Sequence, residues 1–316
     1  MASILTLRRP ARLFTRATSN NNIRDSEKES VPPPRDHDLQ HFEDLPEWYQ
    51  DNQWVRAGYR PVSHSTYSCI HSWTYLHNET ANIFTHLLPA VACLALQYVL
   101  QAQITKHYPH ASIEDRLVFA TYLLSATVTF FLSAGYHTLM SHSYPVSTLW
   151  LRIDYIGILA LILGSFFSGI YVGYRNSPPH LYGYWSMIGV LSIISGVLVL
   201  HTKYQGLKYR ALRTSAFIAT AMSGLAPIIN GLCLYGWDHM WHQSGMPFWF
   251  LEGGFYGIGA LFFATRMPES LWPGKFDIWL GSHQIFHILG VVGAMVHFIG
   301  VWTAYGWYYR LLIHPQ

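Results

Sequence analysis

Two histidines four residues apart open a long apolar run near the C-terminus, in GSHQIFHILG (Gly281–Gly290). Residues at i and i+4 share one face of a helix, so the imidazoles of His283 and His287 can grip one ion. Ser133 and His137 have the same spacing in FFLSAGYHTLMSH, and Asp154 lies in LWLRIDYIGI. Three neutral imidazoles with a fourth position left open are the donor set of a catalytic zinc site. Imidazole also suits copper, iron and nickel. Water on such an ion ionises near neutral pH. Asp154 would accept its proton or hold it by a hydrogen bond. A lone histidine in an apolar span is more often a packing residue, and Ser133 has the alternative of bonding its own helix backbone. An unpaired carboxylate in lipid is harder to assign to packing, because it costs about 2.5–3.5 kcal/mol even on insertion scales.

These residues need elements that bring them to one depth. The chain has 316 residues, 51% hydrophobic and 12% charged, about half the charge of a soluble domain. Seven runs approach the roughly 20 apolar residues that cross a bilayer: Ala81–Gln103, Leu117–His137, Thr148–Gly173, Leu181–His201, Ala211–Gly236, Pro247–Thr265 and Ser282–Trp307. The expected fold is an all-α, seven-transmembrane helix bundle over residues 76–310. With the N-terminus in the cytosol, sixteen of the twenty Lys and Arg fall inside and four outside. The positive-inside bias therefore sets the N-terminus cytosolic and the C-terminus extracellular or lumenal. That is the reverse of a G-protein-coupled receptor. No lysine lies within a span, which excludes a retinal Schiff base. In this orientation His137, Asp154, His283 and His287 all fall in the inner leaflet, with Ser133 one turn from His137.

Other polar residues are less decided. His297 lies about 21 Å beyond His283 along the same helix, too far for the same ion, and reads as a separate contact in the outer half. His142 follows the second span as a loop histidine. Glu79, Asn82 and His86 share a face at the start of the first span. Either Asn78 or Thr80 caps that helix and Glu79 complements its dipole, or the three form a polar network beside the metal layer. Residues 1–75 read as a largely disordered cytosolic tail. Its first 20 residues carry four arginines and no acid, a composition that also suits a mitochondrial presequence. Three scattered cysteines give no disulfide framework. A net charge of +3 gives no case for nucleic acid.

HNETANIFTH, SAGYHTLMSHS through DYIGI, and PESLWPGKFDIWLGSHQIFH together resemble the progestin and adiponectin receptor family. Its relatives include hemolysin III proteins, fungal zinc-homeostasis membrane proteins and adiponectin receptors. LPEWYQDNQWVRAGYRP (residues 45–61) looks like that family's pre-membrane segment. The resemblance covers about residues 45–307. It implies Zn2+ held by His137, His283 and His287, with Asp154 and Ser133 around the zinc-bound water. It also implies a protein of the plasma membrane or endoplasmic reticulum. For activity it implies a zinc-dependent amidohydrolase acting on a membrane lipid such as ceramide, with release of fatty acid. The alternative is a receptor for an extracellular protein or a steroid whose zinc is structural, and a third is a hemolysin-like channel or transporter.

Overall fold

The computed structural model describes residues 38–313. The expectations for the Arg-rich start lie outside the described residues. A short helix, α1 (Thr66–His71), precedes seven stretches of helix long and apolar enough to cross a membrane. These are α2 (Thr80–His107), α3 (Ile113–Leu139), α4 (Tyr144–Tyr174), α5 (Pro178–Leu200), the pair α6 (Arg210–Met222) and α7 (Leu225–His242), α8 (Met246–Thr265) and α9 (Ser282–Ile313). Among the described residues there is no strand, only a single β-bridge between Gln40 and Tyr59. The protein is an all-α, seven-span membrane protein.

Local chemistry sets several helix starts. Ser112 and Asp115 form a reciprocal capping box at the head of α3, each side chain accepting from the other's backbone N–H. Pro145, Pro178 and Pro247 stand in the first turns of α4, α5 and α8, where proline's missing N–H leaves no intrahelical bond unmade. The sequence reads the fifth span as one helix, but it is broken at Ser223 and Gly224. Pro227 explains the break, since its ring clashes with a helix continuing from upstream and it has no N–H to donate.

The spans approach closely where side chains are smallest, as membrane helices do. A Cβ on Gly157 would lie 3.2 Å from the Thr129 backbone of α3, and one on Gly293 would lie 2.5 Å from the Tyr256 ring of α8. These contacts tie α4 to α3 and α9 to α8.

Residues 38–75 differ from the expected disordered tail, because they fold over one end of the bundle. Leu45, Tyr49 and Tyr59 pack with Met140, just past the end of α3. Arg60, 2% exposed, donates to the Ser72 hydroxyl and to the carbonyls of Thr138 and His137. Asp277 accepts the N–H groups of Arg56 and Ala57. These contacts are long-range in sequence, so a polar, proline-containing composition gave no sign of them. His77 is buried in this layer. Burial, with the Arg60 charge adding to it, pushes its imidazole down to about 3. It is therefore neutral, and its Nδ1 accepts the Glu79 N–H at 3.1 Å.

Candidate metal centre

Two helix ends meet under this folded layer. His137 stands in the last turn of α3, and His283 and His287 in the first two turns of α9. Their ligand atoms all lie within 4.8 Å of one another, and the Nε2 atoms of His137 and His283 are 3.3 Å apart. A tetrahedral ion with bonds of about 2.0–2.1 Å sets its ligands about 3.3 Å apart. The donor set fits a small tetrahedral cation, and the His137–His283 pair stands at its ligand spacing.

The opposite edges of two rings are held. His137 Nδ1 lies 2.7 Å from Glu79 Oε2, and Asn82 Nδ2 donates to the same oxygen at 2.7 Å. His287 Nδ1 contacts the Asn82 carbonyl at 3.2 Å and the Thr85 hydroxyl at 3.3 Å. These contacts leave Nε2 of both rings toward the shared point. His86 lies flat on His287, with ring centroids 3.7 Å apart and planes 3° from parallel. Of the two readings of Glu79, Asn82 and His86, the geometry is that of the polar network. The Glu79 side chain makes no cap bond, and Thr80 Oγ1 accepts the His77 N–H.

The start of α9 is fixed from outside the triad. Glu269 is 1% exposed, and its carboxylate accepts from the Ser282 N–H at 2.7 Å and from the Ser282 hydroxyl. Asn52 of the N-terminal layer donates to it as well. An acid beside the first helical N–H groups stabilises a helix terminus, and here it also sets the position of His283. Pro273 and Gly274 form part of the turn leading to α9, with Gly274 at φ 79° and its N–H on the Trp54 carbonyl. Both Arg60 and Glu269 lie in the quoted stretches, but sequence reasoning gave neither a role, since their partners are distant in the chain.

Asp154 and Ser133 interact with each other, and Asp154 lies within the electrostatic reach of His137. Both face the same cavity as the triad. This cavity, about 1310 Å³, runs from Tyr49 in the N-terminal layer past the triad to His297 and Glu252. Phe130, Ile158, Leu161, Ile162 and Phe286 are among its apolar walls. The structure thus brings the three histidines together, and Asp154 and Ser133 line the same cavity. His142 is not among them: its Nδ1 meets the Ser143 hydroxyl. His297 is also apart, paired with Glu252.

A seven-span bundle with a histidine triad at one end defines a class of membrane protein, and the sequence comparisons agree. Residues 74–298 match the haemolysin-III related family. The chain is 37% identical over 262 residues to the adiponectin receptor protein of Drosophila melanogaster, covering 83% of this chain and 58% of the fly protein. It is 36% identical to the ADIPOR-like receptor IZH1 of Eremothecium gossypii and 35% identical to IZH2 of Saccharomyces cerevisiae, covering 84% of each chain in both cases. The chain belongs to the haemolysin III-related family, within its adiponectin receptor and IZH branch, and is an integral multi-pass membrane protein.

Proposed function

We propose that the triad holds a zinc ion and that the site hydrolyses the amide bond of a membrane lipid of the ceramide class, releasing fatty acid. The observation that carries this reading is the convergence of three imidazoles, with a carboxylate beside them, on one lipid-sized cavity. Zinc in such a site polarises a carbonyl and acidifies water. Asp154 is the base that takes the proton from the attacking water, and Ser133 orients its carboxylate. Glu79 holds the His137 ring with Nε2 forward. The apolar walls take the acyl chain and keep bulk water from the reacting group. The bias of sixteen basic residues against four supports an orientation with this end in the cytosolic leaflet. The compartments consistent with this reading are the plasma membrane and the endoplasmic reticulum.

The test is release of fatty acid from ceramide by purified, zinc-loaded protein, with Asp154→Asn losing the activity while keeping its zinc. A second reading is favoured by the relatives' own names, which call them receptors. It makes this chain a receptor for an extracellular protein or a steroid, with a structural zinc and a role in lipid metabolism and zinc homeostasis. Metal-replete protein that releases no fatty acid from any lipid amide would support that reading and remove the first.

A further inference from the structure

The cavity has a second polar end. Glu252 of α8 and His297 of α9 both line it and are 8% and 2% exposed. His297 Nδ1 lies 2.7 Å from Glu252 Oε2, and its Nε2 lies 2.8 Å from the Ser168 hydroxyl of α4. Serine, histidine and carboxylate in that order match a nucleophilic triad. Ser168 is not placed for that role. It is 1% exposed, does not line the cavity, and its hydroxyl lies 2.8 Å from the Gly164 carbonyl of its own helix. With its one proton on Gly164, Ser168 accepts from His297 Nε2. The contact between His297 Nδ1 and Glu252 then requires a proton of its own. The pair therefore holds one proton and is neutral overall, which the cost of net charge inside a bilayer favours.

Three further polar atoms at this end are buried without a hydrogen-bond partner: Tyr256 Oη, Trp249 Nε1 and Ser165 Oγ. All three residues line the cavity, and the Tyr256 hydroxyl stands beside the Glu252 carboxylate. A buried polar atom left unpaired is destabilising. One indole N–H and two hydroxyls in the same cavity as a neutral acid–imidazole pair are suited to a ligand group that both donates and accepts.

We propose that this end of the cavity binds a hydroxyl group carried on the chain of the lipid whose polar head faces the histidine triad. The proposal rests on reading the cavity as a lipid site. Ten residues separate His287 from His297, about 15 Å along the helix. The ligand class is therefore a long-chain amphiphile with a hydroxyl in the distal part of its chain.

The test uses full-length, zinc-loaded protein in lipid nanodiscs. Its probes are octadecanoic acid and the same acid with a hydroxyl on the twelfth carbon, each displacing a fluorescent fatty acid. The unmodified protein is expected to bind the hydroxylated chain about tenfold more tightly. Tyr256→Phe and Glu252→Gln are each expected to reduce that preference below about twofold, with metal content reporting that the fold is intact. Equal affinities on the unmodified protein would overturn the proposal. So would a preference that survives both substitutions, or binding of neither chain. Absence of ceramide hydrolysis with the hydroxyl preference intact would remove the hydrolase reading and leave this one standing.

Discussion

The bundle contains two buried histidine–carboxylate pairs with the same contact distance, Glu79–His137 at one end of the cavity and Glu252–His297 at the other, each at 2.7 Å. What surrounds them differs. At the first, the far nitrogen of His137 points at two more imidazoles. At the second, the far nitrogen of His297 meets a serine hydroxyl. The carboxylate orients the ring in both, and the partner of the opposite nitrogen decides the chemistry. Three converging nitrogens make a cation site. One nitrogen on a hydroxyl makes a neutral, proton-holding wall.

Substitutions at the two ends should separate these roles. The largest effect is expected at Asp154, which has no counterpart beside His297. Asp154→Asn should lower ceramide hydrolysis by about 10²–10⁴-fold, the usual worth of a general base, with zinc content unchanged. Product release at the original rate would remove Asp154 as the base. Glu79→Gln keeps a hydrogen-bond acceptor but loses the charge behind His137. Zinc affinity, read by chelator competition, should fall about 10–100-fold, whereas Glu252→Gln should leave it unaltered. Equal losses at both would mean that the two carboxylates act through the fold rather than through the metal. Arg60→Met removes the donors that anchor the N-terminal layer to the His137 and Thr138 carbonyls. A loss of roughly 1.5–3 kcal/mol is expected, read as a lower unfolding temperature, with zinc release following unfolding rather than preceding it. Ser168→Ala should have the smallest effect, about 1 kcal/mol, and should not alter hydrolysis. A collapse of activity in that variant would make Ser168 a nucleophile after all.

Much of the first end was legible in the sequence. Four-residue spacing put His283 and His287 on one face, span direction put His137 and Asp154 at the same end, and apolar run length counted the helices. What was not legible depends on contacts between distant segments. Arg60 counts as one more basic residue of a tail until Ser72, Thr138 and His137 surround it. Glu269 caps a helix that begins thirteen residues later. The same limit explains the second end. His297 was visible as a polar residue in the far half, but its acid, Glu252, lies on another helix. The break in the fifth span was signalled locally by Pro227, though apolar run length passed over it.

The central claim is that the histidine triad, and not the pair at the other end, holds the metal. Zinc measured per chain on purified full-length protein, for His137→Ala beside His297→Ala, tests it most directly. We expect about one zinc per chain in the unmodified protein and in His297→Ala, and almost none in His137→Ala. Full zinc retention in folded His137→Ala, or its loss from His297→Ala alone, would contradict the assignment.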